Sequence, residues 1–167
     1  MDGINKGNIS TRWTDLVGGK YFTLNEHSIV HDDCIEMDGA GYISQNSTAV
    51  NSPGASSTIE VCLDGTNDIG CVYIPNSSAG ISFMIYTYGY TYKPASTGNN
   101  QYRPGTKLGK FTGSFNHSHC LVNGSPITSK GADNWNANNS VSTIGGRNNG
   151  RAYYYTGKIY AIRIYNR

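Results

Sequence analysis

Charge is scarce in this chain. Only 14% of its 167 residues are Asp, Glu, Lys or Arg, three of them are Glu, and Lys and Arg form no run anywhere. A surface that tracks phosphates needs clustered cations, so nucleic acid is not an expected partner, and a formal net charge of +2 does not alter that. No apolar stretch approaches the roughly 20 residues that span a bilayer, and the opening "MDGINKGNIS" has no apolar signal core. Membrane insertion is therefore not expected, while export within a longer precursor, or release by lysis, stays open. Cysteine is sparse too: Cys34, Cys62, Cys71 and Cys120 include no C-x-x-C unit, so a zinc ribbon or thioredoxin-like site has no support. "IEVCLD" and "SHCLVNG" set Cys62 and Cys120 among apolar neighbours, the setting of a buried, reduced thiol. A Cys62–Cys71 staple is the alternative. Phosphate-loop, Gly-x-Ser-x-Gly and His-Glu-x-x-His motifs are all missing.

What is abundant is turn formers and tyrosine, with 21 Gly and 13 Tyr. Gly and Asn supply turn geometry while Tyr, Thr and Val suit a pleated surface. Apolar runs such as "KYFTL", "HSIVH", "CIEMD", "GYIS", "STIEVCLD", "CVYIP", "GISFMIYTYGYTY", "TKLGKFTG", "SVSTIGG" and "GKIYAIRIYN" alternate with turn-rich segments, and no 3.6-residue period is sustained. The expectation is one domain over 1–167, an all-β antiparallel two-sheet β-sandwich of jelly-roll type. Asn123-Gly124 inside "LVNGSPI" is the pattern of a two-residue hairpin turn. "WTDLVGG" reads as a non-helical lead-in with Trp13 and Leu16 as buried anchors.

The segment "YTYGYTY" places Tyr86, Tyr88, Tyr90 and Tyr92 at alternate positions. On an unbroken strand they share one face, opposite Ile81, Phe83 and Ile85. They are then either an aromatic platform for sugar rings or, through a bulge near Gly89 or a register change, part of the packing. The loops "STGNNQYRPG", "KGADNWNANN" and "GGRNNGRAYYY" add Trp135, Arg147, Asn148, Arg151 and Tyr154 amid many Asn. Amides that both donate and accept suit sugar hydroxyls, and aromatic faces suit stacking. The candidate ligand-binding set is Tyr88, Tyr90, Tyr92, Trp135, Arg147, Asn148 and Tyr154. No catalytic or metal residue is assigned: His27, His31 and the His117-Ser118-His119 triplet could offer metal ligands but lack an identifiable third partner, and they read as polar surface groups.

"TRWTDLVGGKYFTL", "CIEMDGAGYIS", "STIEVCLD", and "LVNGSPI" leading into "STIGGRNNGRAYYYTGKIYAIRIYNR" together resemble the laminin-G-like, concanavalin-A-like jelly-roll superfamily. Met37-Asp38-Gly39 stands where relatives carry Phe-Asp-Gly, and relatives continue beyond the position of Arg167, which implies an excised domain or a missing neighbour. The resemblance implies a non-catalytic carbohydrate-binding or adhesion module on a phage particle or bacterial surface. Its partners would be surface glycans or polysaccharide, together with other virion or surface proteins, and its setting extracellular. An assembly domain docking by its aromatic face, alone or as an oligomer, is the alternative. Some laminin-G-like domains bind calcium, with His31-Asp32-Asp33 as the cation corner here, but no cofactor is required. Glucanases of the superfamily carry Glu-x-Asp-x-Glu on one strand. Here Glu60, Cys62 and Asp64 occupy that parity with the central carboxylate lost, so the chain is not expected to be an enzyme, a degenerate glycosidase being the third reading.

Overall fold

The computed structural model describes residues 11–16, 21–45, 58–65, 69–75, 82–86, 89–93, 100–102, 110–115, 120–126, 129–130, 141–146 and 154–165. Among them are sixteen strands and no helix: β1 (Arg12–Thr14), β2 (Tyr21–Thr23), β3 (Ser28–Val30), β4 (Ile35–Asp38), β5 (Ile43–Gln45), β6 (Thr58–Gly65), β7 (Ile69–Pro75), β8 (Ser82–Tyr86), β9 (Gly89–Lys93), β10 (Asn100–Tyr102), β11 (Lys110–Phe115), β12 (Cys120–Val122), β13 (Ser125–Pro126), β14 (Ser129–Lys130), β15 (Val141–Ile144) and β16 (Thr156–Tyr165). They pair antiparallel into a larger sheet, ordered β1-β2-β5-β15-β7-β8-β9-β10-β14, and a smaller one, ordered β13-β12-β11-β6-β16-β4-β3. The fold is an all-β two-sheet sandwich.

Alternation along each strand decides which face is buried. In β6, Val61 and Leu63 are buried while Glu60, Cys62 and Asp64 are half-exposed; in β4, Ile35 and Met37 are buried on either side of Glu36. Side chains of successive strand residues point to opposite faces, so a period of two in apolarity commits one face of each sheet to the core. Trp13, Phe22, Ile43 and Ile144 supply the larger sheet's side of that core. Burying a side chain of this size stabilises by roughly 1.5–3 kcal/mol. In β16 the period slips: Ile159, Ala161 and Ile162 are all buried, and the pairing with β6 shifts between Ile159 and Ala161. One extra residue, a β-bulge, re-aims the strand and leaves Tyr160 half-exposed beneath Lys110, whose Nζ lies 3.7 Å from the ring centroid.

The expected turn at Asn123-Gly124 forms. Both residues have positive φ, 50° and 78°, as a type I′ turn requires, and Val122 pairs with Ser125 across it. Asn123 also stitches the turn to β11: its amide donates to the Thr112 carbonyl at 2.9 Å, and its Oδ1 accepts from the Thr112 amide at 2.9 Å.

Elsewhere the structure corrects the sequence reading. The unbroken strand expected through "YTYGYTY" is a hairpin in which β8 and β9 pair Phe83 with Tyr92, Ile85 with Tyr90 and Tyr86 with Gly89. The physical reason is that β8 and β9 are separate antiparallel partners, so Tyr90 stands opposite Ile85 rather than following Tyr86 along one strand.

Leu16, expected as a buried anchor, is 61% exposed, while Trp13 is fully buried. The lead-in contributes β1, and β10 lies within a stretch read as loop. Cys62, expected inside, takes the outward parity of β6 and is half-exposed; it and buried Cys34 are both free thiols. With Cys62 a free thiol, the Cys62–Cys71 staple does not form. Among the described residues no helix is long and apolar enough to cross a membrane.

Candidate functional site

Several sheet-to-sheet connections lie together at one end of the sandwich. Residues 24–27 pass from β2 to β3 and residues 39–42 from β4 to β5, and beside them lie Gly145 and Gly146 at the end of β15 and Tyr154 and Tyr155 before β16. Their strand ends are in register: Asp38 pairs with Thr156, Gly157 with Gly65, Ser28 with Met37, and Ile43 with Ile144.

Polar contacts lock these connections to one another. Asn25 is the hub: its Nδ2 donates to the Tyr42 carbonyl at 2.8 Å, its Oδ1 accepts from the His27 amide at 3.1 Å, and its carbonyl accepts from the Ser28 hydroxyl at 2.9 Å. An Asn that bonds the backbone two residues on is a turn former in its own right. His27 lies against Gly41, where any Cβ would collide with the imidazole ring, and its Nδ1 sits 3.1 Å from Asp38 Oδ2. Asp38 Oδ1 accepts from the Ala40 amide at 2.8 Å. Desolvation pushes the Asp38 carboxyl upward, yet the Ala40 amide and His27 outweigh it and hold the group below its ordinary carboxylate value.

Above this frame stand two half-exposed rings. Tyr42 and Tyr154 are near-parallel, 22° apart with centroids separated by 6.5 Å. Gly146 makes the approach possible, because a Cβ there would stand 2.5 Å from Tyr154 Cδ1 and 3.0 Å from Tyr42 Cβ. The next residue, Tyr155, turns the opposite way and is fully buried. Its hydroxyl donates to the Lys158 carbonyl at 3.1 Å, its amide donates to the Gly145 carbonyl at 2.8 Å, and burial, reinforced by the Asp64 charge, raises its pKa far beyond the ordinary phenol value. Tyr155 is thus the anchor that fixes Tyr154 outside. The half-exposed pair offers aromatic surface beside the frame made by Asn25, His27 and Asp38.

Of the residues selected from sequence, Tyr154 is the one this site contains. Tyr90 and Tyr92 lie on strand β9, paired with Ile85 and Phe83 of β8, and Tyr88, Trp135, Arg147 and Asn148 lie outside the described residues, as do His117 and His119. Tyr42 was missed. Its one sequence signal is a parity opposite to Ile43, just inside the strand "GYIS".

Two further sequence candidates are placed on the smaller sheet. Glu60 and Asp64 share the outward parity of β6 with Cys62 between them. Four residues of strand separate them by about 13 Å, against the roughly 5 to 9.5 Å between the two carboxyls of a glycosidase, so β6 by itself does not form that pair. Cross-strand neighbours of Asp64 are Lys110 and Lys158, and those of Glu60 are Ser114 and Arg163. His31 Nε2 lies 2.6 Å from Glu36 Oε2. Among the described residues no three His, Cys, Asp or Glu side chains gather to hold a metal ion.

No protein-family model matches the chain, and no curated protein matches it in sequence. Solved structures do. The chain is similar in fold to part of a sialidase. Against Trypanosoma rangeli sialidase in complex with 2,3-difluorosialic acid, a covalent intermediate, the TM-score is 0.64, and against the same enzyme with sialic acid it is also 0.64, both at 11% identity. With 2,3-difluoro-KDN bound the TM-score is 0.67, again at 11% identity. Each match takes in 98% of this chain and 30% of the sialidase chain. The likeness is one of fold alone. It corrects the expectation that the chain is not an enzyme, because the solved structures sharing its fold are those of an enzyme, and the absence of hydrolase motifs does not stand against that.

Proposed function

We propose that the chain is a carbohydrate-binding or adhesion module, of the laminin-G-like, concanavalin-A-like kind, displayed on a phage particle or bacterial surface. The observation that carries the reading is the half-exposed Tyr42–Tyr154 pair beside a hydrogen-bonded frame at one end of the sandwich. Ring faces stack on the apolar faces of sugars while amide and imidazole groups at their edge meet hydroxyls. Support also comes from the sialidase whose fold this chain shares in part, since that protein was solved with sialic acid bound. A platform of two rings buries little area, and desolvating hydroxyls offsets most of the hydrogen-bond gain, so single-site affinity is weak and repeated copies supply avidity.

The test is a glycan array probed with the purified chain and with Tyr42→Ala/Tyr154→Ala, each checked for an unchanged urea midpoint. Binding present in the first and lost in the second supports the reading; a folded chain that binds nothing on the array removes it. An assembly domain is the second reading, favoured by Ile29, which is 57% exposed on the edge strand β3. Concentration-dependent association abolished by Ile29→Lys would move the weight there.

A further inference from the structure

Asn123-Gly124 carries reactive chemistry as well as a turn. An asparagine followed by glycine is open to attack on its own side chain, because glycine, without a Cβ, leaves its amide nitrogen unshielded. The chain contains this dipeptide twice, at Asn123-Gly124 and at Asn149-Gly150, and the second lies outside the described residues. Asn123, Gly124, Ser125 and Pro126 are all exposed. Apart from the chain neighbours, nothing lies within 4 Å of the place where a Gly124 Cβ would stand, so water and base reach the Gly124 amide.

The folded turn nevertheless holds the reacting groups to other partners. Thr112 of β11 stands opposite Asn123: its carbonyl accepts from the Asn123 amide at 2.9 Å, and its own amide donates to Asn123 Oδ1 at 2.9 Å, with the Thr112 hydroxyl at 3.5 Å from the same oxygen. Asn123 has left the strand at φ 50°, and its side-chain oxygen takes the place of the backbone carbonyl that a continuing β12 would have presented to β11. The carboxamide is thereby committed across the strands, whereas ring closure requires Cγ to swing onto the Gly124 nitrogen.

We infer that Asn123-Gly124 is a self-modifying site gated by the β11–β12 contact, intact while Thr112 holds the carboxamide and converted to aspartate or isoaspartate once that contact opens. In the reaction the deprotonated Gly124 nitrogen attacks Asn123 Cγ. The new C–N bond closes a succinimide, the Cγ–Nδ2 bond breaks, and Nδ2 leaves as ammonia, taking up the proton that Gly124 gave up. Water then opens the imide on either side. Cleavage between Cγ and nitrogen leaves aspartate; cleavage between the main-chain carbonyl carbon and nitrogen leaves isoaspartate. No oxidant, reductant or cofactor is consumed.

The two products differ in consequence. Aspartate keeps the backbone and an acceptor at the same reach, so the Thr112 amide regains its partner, now a charged oxygen. Isoaspartate runs the main chain through Cβ and Cγ, so the turn lengthens by one methylene and the free carboxylate hangs directly on Cα, a methylene short of Thr112. A two-residue type I′ loop fits a fixed backbone length, so the pairing of Val122 with Ser125 is strained and β12 and β13, at the margin of the smaller sheet, loosen from β11. The change is one-way, and it is independent of the glycan-binding reading.

The test uses the full chain carrying Asn149→Gln, which silences the other Asn-Gly pair. It is held at mildly alkaline pH in buffer and in concentrated urea, with conversion at Asn123 followed by peptide mapping and isoaspartate counted by isoaspartyl methyltransferase labelling. Conversion should be slower in buffer by about ten-fold or more, the population factor for opening two hydrogen bonds. Gly124→Ala should slow it in urea, where the gate is absent and the unshielded nitrogen alone sets the rate. After return to buffer, chains bearing isoaspartate should unfold at a lower urea midpoint than the parent, while Asn123→Asp should not. Equal rates in buffer and urea overturn the gate, a parent-like midpoint for the isoaspartate chains overturns its consequence, and no conversion at Asn123 in urea removes the site.

Discussion

Gly157→Ala is the sharpest probe of how the sandwich closes. Gly157 sits on β16 between β4 and β6, with φ +136°, and a Cβ there would collide with the Asp64 carbonyl oxygen and stand 2.8 Å from the Gly65 Cα. Two costs follow. The backbone conformation is one that residues with a side chain rarely adopt, at about 1–3 kcal/mol. The obstruction is backbone rather than a flexible side chain, so relief requires β6 and β16 to part, an overpacking cost of about 1–3 kcal/mol. Together they approach 2–6 kcal/mol, a large fraction of the roughly 5–15 kcal/mol that holds a domain folded, and correspond to a fall in Tm of about 4–24 °C at this chain length. Gly124→Ala is the matched control: φ is +78° but nothing lies within 4 Å of the added Cβ, leaving the conformational cost of about 1–2 kcal/mol alone. Urea denaturation of both variants measures the difference. Equal destabilisation would refute the reasoning, because it would show that β6 and β16 do not approach as closely at Gly157 as the structure has them.

Asn123→Ala should cost about 1–3 kcal/mol in a urea melt, since it removes the acceptor of the Thr112 amide and places Ala at positive φ; a loss below 0.5 kcal/mol would remove Asn123 from the turn's support. Asp38 has a carboxyl held below its ordinary value, so its contribution is fully present above about pH 4 and fades as pH falls through the lowered folded value. Stability measured from pH 7 to pH 2 should therefore fall less steeply in Asp38→Asn than in the parent, and parallel curves would contradict the His27 and Ala40 contacts. Burial, with the neighbouring Asp33, pushes the Cys34 thiol up to about 11, leaving about one part in a thousand as thiolate at pH 8. Maleimide labelling followed by peptide mapping should modify Cys62 well before Cys34, and the reverse order would mean that Cys34 is not enclosed.

Local chemistry and nonlocal pairing divide this protein between them. Alternation in "STIEVCLD" and "CIEMD" sufficed to assign strands, their buried faces and the all-β sandwich, because strand parity is a property of neighbouring residues. Asn123-Gly124 likewise announced its turn, since only residues tolerant of positive φ fit there. The candidate site was only half legible: Tyr154 stood out among consecutive tyrosines, but Tyr42 meets it only when two sheet-to-sheet connections are laid side by side, a contact across more than a hundred residues of chain. The same holds for "YTYGYTY", whose residues favour strand locally but whose division into two paired strands, with Tyr86 opposite Gly89, is a matter of nonlocal pairing. Sequence by itself determined which segments pleat and which side of each seeks the core, because those depend on local sterics and hydrophobicity. Tertiary structure alone decided which surfaces those strands assemble, because pairing joins residues whose separation along the chain carries no information about their neighbours in space.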